Sequence, residues 1–228
     1  MLVRYDPDGS LDPSFGNGGI VAVKAVGAPD ALALLSNGDI LAVQGNAIAE
    51  FGANGNLHAA VMSIVSGATF VAVSPGGPTV FEANGDFVFG SFVPGEGGRR
   101  DTDIKLVRFL PQGSLDSTFN SPVFDFGVEG ANDGSDRTLA VQPDGRIVAG
   151  GTAGQFGSAG FALARFTASG SFDATFGNAG KVITPFANAS VGVRRVVLQP
   201  DGSIVAIGTG IVNGGGPASL AAARYLGQ

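Results

Sequence analysis

The chain carries no cysteine, no tryptophan and a single histidine, His58. Without cysteine there is no disulfide framework and no thiolate chemistry. With one imidazole, a zinc centre has to draw most of its ligands from carboxylates, which is unusual. Charge is sparse as well. Asp, Glu, Lys and Arg make up 14% of the residues, against about 25% in ordinary soluble domains. A net charge of −6 and an isoelectric point near 4.6 argue against a phosphate backbone, so no nucleic-acid partner is expected. No apolar run approaches the ~18 residues of a membrane-spanning helix. Met1 runs directly into a strand-like segment without a signal-peptide pattern, as expected where a leader has been removed or never existed. Catalytic signatures are missing too. There is no G-x-S-x-G nucleophile elbow, and no helical pattern follows the phosphate-loop-like GEGGRRD at 95–101.

Glycine is the abundant residue, 38 of 228, more than twice the usual ~7%. Lys, Glu, Gln and Leu are scarce while Val, Phe, Thr and Gly are plentiful, which favours short strands joined by tight turns. Those strands repeat. A segment ending in Arg-aromatic recurs as LVRY (Arg4, Tyr5), LVRF (Arg108, Phe109), LARF (Arg165, Phe166) and AARY (Arg224, Tyr225), with IAEF (Glu50, Phe51) as its variant. The aromatic positions lie 46, 58, 57 and 59 residues apart. A second phrase recurs as LLSNGDILAVQG, FEANGDFVFGS, VQPDGRIVAGG and LQPDGSIVAIG. Each places Asn-Gly or Asp-Gly between apolar alternations, the strongest short-range hairpin signal.

One unit reads as four strands: the Arg-aromatic strand, a strand after the following Gly pair (20–25, 181–186), and two hairpin arms. Such a period predicts an all-β propeller of about four four-stranded blades. The whole chain, 1–228, is then a single repeat domain with units near 1–46, 47–103, 104–160 and 161–218, and a terminal strand at 219–228. These motifs resemble the bacterial delta-60 repeat family, closely at residues 2–44 and 104–209 and loosely at 47–92. The resemblance implies a propeller-like β architecture, often in extracytoplasmic bacterial proteins, and implies no particular chemistry.

The connection after the Arg-aromatic strand raises a metal question. Asp6, Asp8 and Asp12 stand at spacings suited to a calcium loop. The other copies replace the positions of Asp6, Asp8, Ser10 and Asp12 by Gly52, Asn54, Asn56 and His58, by Leu110, Gln112, Ser114 and Asp116, and by Thr167, Ser169, Ser171 and Asp173. Only the glycine (Gly9, Gly55, Gly113, Gly170) is common to all, which favours a turn needing positive φ. Calcium remains a candidate cofactor for the first copy alone. A second pattern crosses the copies. Arg4 precedes Asp12 by eight residues, as Arg108 does Asp116 and Arg165 does Asp173, whereas Glu50 precedes His58 with the charge order reversed. Paired change predicts contact, an Arg–carboxylate fork in three copies and Glu50 facing His58 in the other. Phe15, Phe119 and Phe176 read as apolar anchors between blades.

Antiparallel pairing puts these constant turns at one end and the variable joints at the other, where scaffolds of this kind host function. The candidate binding residues there are Glu96, Arg99, Arg100, Asp101, Asp103, Arg137 and Arg194. Glu129, Asp133 and Asp136, with His58, are the candidate catalytic groups. Two functional classes follow. One is a binding or display module presenting variable loops to a small molecule, glycan or protein. The other is a calcium-dependent hydrolase of small esters or lactones at the propeller mouth, similar in architecture to propeller lactonases. If the connection after the Arg-aromatic strand crosses between blades, LVRY and AARY compete for one sheet edge. The N-terminal strand then holds that edge, and the terminal strand adds outside it or pairs with another chain as a homo-oligomer.

Overall fold

The computed structural model describes residues 1–22, 31–35, 37–44, 47–61, 79–94, 102–111, 114–124, 126, 138–154, 158–212 and 215–227. Among them every regular element is a strand. A short N-terminal pair joins β1 (Leu2–Val3) to β2 (Ile20–Val21). Sheet I contains β3 (Ala31–Leu34), β4 (Ile40–Gln44), β5 (Ala47–Phe51) and β6 (Leu57–Val61). Sheet II contains β7 (Thr79–Phe81), β8 (Phe87–Pro94) and β9 (Thr102–Phe109). Sheet III contains β10 (Thr138–Val141), β11 (Ile147–Ala153), β12 (Gly160–Phe166) and β13 (Lys181–Thr184). Sheet IV contains β14 (Ala189–Leu198), β15 (Ile204–Val212) and β16 (Ser219–Tyr225). Strands follow chain order within each sheet and pair antiparallel throughout.

One turn builds most of the sharp reversals. In the first hairpin Leu35 N donates to Asp39 O at 2.7 Å and Gly38 N donates to Leu35 O at 2.9 Å. The same two bonds recur from Glu82, Gln142 and Gln199 in the other hairpins, and from Asp6, Gly52 and Thr167 after the Arg-aromatic strands. Gly9, Gly38, Gly55, Gly85, Gly145, Gly170 and Gly202 all sit at φ between +82° and +92°, where a side chain costs roughly 1–2 kcal/mol.

The sheets are out of phase with the repeat read from the sequence. The Arg-aromatic strand pairs with the hairpin before it (β5 on β4, β12 on β11) and with the strand after it (β6, β13). In sheets I and III it is therefore interior, and the connection there stays within one sheet instead of crossing between blades. The reason is local: Arg4 N donates to Gly19 O at 3.0 Å while Arg4 O accepts from Asp12 N at 3.0 Å, folding the loop back onto its own strand. LVRY and AARY accordingly pair with β2 and β15 and do not contend for one edge. In sheet II none of the described residues between β9 and β10 belongs to a ladder strand. Pro122 supplies no backbone donor there, and the buried Ser121 Oγ accepts instead from Leu106 N at 3.2 Å.

Alternate residues on each strand face the neighbouring sheets. Ile147 and Ala149 pack with Val88, Leu106 and Phe166 toward sheet II, while Val148 joins Phe161, Leu163 and Val193 toward sheet IV. Phe15, Ala42 and Phe51 fill the space between the N-terminal pair and sheet I, and Leu41, Phe87, Phe89 and Phe109 that between sheets I and II. The first strands touch in succession, β3 to β7 to β10 to β14, so they line the inner side of the array. None of the described residues forms a helix long and apolar enough to cross a membrane.

Candidate functional site

Three copies of the Arg-aromatic strand carry the same side-chain assembly. Arg4 Nε donates to Asp12 Oδ2 at 2.7 Å, Arg108 Nε to Asp116 Oδ2 at 2.8 Å, and Arg165 Nε to Asp173 Oδ2 at 2.8 Å. Each guanidinium lies over a phenyl ring, Phe15, Phe119 or Phe176, at 4.7 Å from the centroid, worth about 0.5–2 kcal/mol depending on exposure. A hydroxyl two residues after each aspartate (Ser14, Thr118, Thr175) donates to its other oxygen at 2.6 Å. For Asp116 that Thr118 hydroxyl is the main cause of a pKa near 2, with the Thr118 amide and Arg108 adding to it against burial. Burial is the largest influence on Asp173 and opposes its charge. The Thr175 bonds and Arg165 outweigh it, and the pKa again falls to about 2.

This assembly reaches into the next sheet. Arg108 donates through Nη1 to Ala168 O at 2.8 Å, and Asn120 N donates to Ser169 O at 3.0 Å. Arg4 likewise donates to Ala53 O, and Gly16 N to Asn54 O at 2.8 Å. A Cβ built on Gly170 meets the Phe119 ring at 3.0 Å, and one on Gly55 meets the Phe15 ring at 3.0 Å. The repeated loop is thus a joint between sheets. Its carboxylates are engaged: Asp12 with Arg4 and Ser14, and Asp8 with the Ser10 amide and hydroxyl. Among the described residues Asp6, Asp8 and Asp12 do not form a three-ligand group. The spacing of Phe15, Phe119 and Phe176, each eleven residues after its arginine, was the available sign of the stacked ring.

The second copy differs. Glu50 and His58 come together with Asp39 of the preceding turn, one ligand atom of each within 4.8 Å of the others. Of the variable-end candidates, Glu96, Arg99, Arg100, Asp101, Glu129, Asp133, Asp136 and Arg137 lie outside the described residues. Asp103 sits on β9 opposite Val93. Arg194 sits at the bulge of β14 and donates from Nε to Thr209 Oγ1 at 3.2 Å.

At the constant end the hairpin turns of sheets II, III and IV converge on a cavity of about 710 Å³. Phe81, Val141 and Leu198 give it apolar walls, and Pro143 and Pro200 flank it. Its polar lining includes Glu82, Gln142 and Gln199, which hold equivalent places in their turns. Burial raises the Glu82 pKa against the attraction of Arg108, whose Nη1 is 3.5 Å away. The Oε1 atoms of Gln142 and Gln199 are buried without a hydrogen-bond partner, an arrangement that costs about 1–3 kcal/mol each.

A family described as a domain of unknown function with a β-propeller (DUF5122) matches residues 2–15, 90–119 and 142–176. The fold is a β-propeller. Each matched segment ends on the phenylalanine of a joint, and the match passes over the divergent copy at 47–61. Among solved structures the propeller is similar to a protein of unknown function from Dyadobacter fermentans, at 14% identity and a TM-score of 0.51, covering 85% of this chain and 51% of that one. It is also similar to a xylan β-1,4-xylosidase from Bacillus halodurans, at 14% identity and a TM-score of 0.43, covering 87% and 40%. The chain therefore spans about half, or less, of the length of these two structures. No curated protein matches the sequence.

Proposed function

We propose that this propeller, built on a delta-60-type repeat, is a binding module whose ligand is a small polyhydroxylated molecule such as a short glycan. The supporting observation is the axial cavity lined by Gln142 and Gln199, residues whose Oε1 atoms are themselves buried and unpartnered. A volume near 710 Å³ lies within the usual range of ligand sites, about 300–1,000 Å³. Hydroxyl groups both donate and accept, so one sugar can complete the carboxamides of Gln142 and Gln199 together after a small side-chain rotation. The proline and phenylalanine surfaces suit its apolar faces. The variable loops at the other end are, in this reading, a separate display surface for larger partners.

The test is a thermal-shift and calorimetric screen of mono- and oligosaccharides on the wild-type chain and on Gln142→Leu/Gln199→Leu. A ligand that binds only the native state at 100 times its Kd adds about 2.7 kcal/mol. The double variant loses no hydrogen bond and removes two unpaired acceptors, so it should fold at least as stably. A saccharide that stabilises the wild type and not the variant supports the reading. A screen without a hit, or a hit retained by the variant, overturns it.

A further inference from the structure

The second copy of the joint departs from the other three in every member. Glu50 stands where they have arginine, His58 where they have aspartate, and Val61 where they have phenylalanine. The preceding hairpin turn adds Asp39. Its Oδ2 lies 3.8 Å from His58 Nδ1, and one ligand atom each from Asp39, Glu50 and His58 lies within 4.8 Å of the others. Where the other copies hold a guanidinium against a carboxylate, this one gathers two carboxylates and an imidazole.

We propose that Asp39, Glu50 and His58 form a site for a divalent first-row transition cation, for which Zn²⁺ is the working probe. The donor set decides the class. An imidazole nitrogen with two carboxylate oxygens suits zinc and its neighbours, whereas calcium and magnesium favour oxygen alone. Three protein ligands leave a fourth position for water or an exchangeable ligand. Metal bonds of about 2.0–2.2 Å place ligand atoms roughly 3–3.5 Å apart, so closure draws these side chains inward by about an ångström.

The surroundings are already fitted to the group. Asp39 is oriented by Asn37 Nδ2, which donates to Oδ2 at 2.8 Å, and by Ala53 N, which donates to Oδ1 at 3.2 Å. Such outer contacts fix a ligating carboxylate. A Cβ on residue 52 would lie 2.5 Å from His58 Nε2, so Gly52 gives the ring its place. The other copies have Asp6, Leu110 and Thr167 there. The His58 side chain is 50% exposed, which leaves the ion a path from solvent, while Asp39 is 15% exposed. Arg4, whose guanidinium reaches the Ala53 carbonyl, is held by Asp12 and Ser14.

This site is independent of the axial cavity, and its test exploits the single histidine. Chelator-treated protein is titrated with Zn²⁺ and separately with Ca²⁺, following heat and the one imidazole signal in ¹H–¹⁵N spectra. The expected result is one equivalent of Zn²⁺, a displaced His58 signal, and at least tenfold weaker binding of Ca²⁺. The variant Glu50→Arg/His58→Asp recasts this copy as a joint. It should fold and bind Zn²⁺ at least about 100-fold more weakly. Glu50→Gln alone, which keeps shape, should weaken binding at least tenfold. An unmoved imidazole signal at millimolar Zn²⁺, or equal affinity in the variants, overturns the site and leaves an imidazole ring beside two carboxylates.

Discussion

Arg165 and Glu50 occupy the same place on the same strand of two repeat units, and they serve opposite ends. Around Arg165 the copy is closed: the side chain is fully buried, clasped by Asp173, stacked on Phe176 and bonded to Thr175. Around Glu50 the copy is open, with the neighbouring His58 half exposed and Asp39 turned toward it. The backbone turn is common to both, since Gly170 and Gly55 share one φ region and one bonding pattern. A repeat that is mechanically complete in several copies can release one copy from that duty. The difference teaches that a change in several members of one assembly marks a change of role more clearly than any single residue does.

The sharpest way to break this comparison is to remove the arginines one at a time. Exposure of the arginine side chain rises from 0% at Arg165 to 13% at Arg108 and 34% at Arg4. Arg165→Ala takes the nearer guanidinium from a buried carboxylate and leaves it only that of Arg146, with Nη1 at 3.4 Å. Breaking a buried pair typically costs about 3–5 kcal/mol, or roughly 6–20 °C of melting temperature in a chain of this size. Arg108→Ala should cost less and Arg4→Ala least, because water screens the pair increasingly. Calorimetric melting of the three variants checks the order. Equal losses would mean that burial of the fork does not set its worth.

A smaller effect is expected with pH. Asp116 and Asp173 ionise near pH 2 in the folded chain, below the ordinary 3.8. Because the folded pKa is depressed, the stabilisation is fully present above about pH 4 and is lost as pH falls toward 2. Melting temperature followed from pH 5 to 2 should decline across that window. The decline should be shallower in Asp173→Asn, which no longer titrates there.

Much of this was legible in the residues, and the rest was not for physical reasons. Asn-Gly and Asp-Gly between alternating apolar residues mark each hairpin because the turn needs positive φ. The eight-residue interval from Arg4, Arg108 and Arg165 to an aspartate is equally visible, and in the structure those side chains meet. The phase of the sheets was not visible. A sequence period has no natural origin, and only the loop bonds from Arg4 and Arg165 show which strands share a sheet. Asp39 has no signature in the sequence because it reads as an ordinary turn residue, and its nearness to His58 depends on pairing between β4, β5 and β6. Gln142 and Gln199 were hidden in the same way, inside a phrase that a hairpin explains by itself.

The central claim is that the repeated loop is a joint between sheets, and a double-mutant cycle across one joint tests it most directly. Gly170 belongs to sheet III and sits against the Phe119 ring that follows sheet II, whereas Gly9 at φ +88° has nothing within 4 Å of its built Cβ. Gly170→Ala should therefore destabilise more than Gly9→Ala, and Phe119→Leu, which removes the contacting ring atoms, should relieve part of that loss. The account predicts a coupling of about 1 kcal/mol between Gly170→Ala and Phe119→Leu in denaturant melts. Strictly additive losses, with Gly9→Ala as costly as Gly170→Ala, would contradict it.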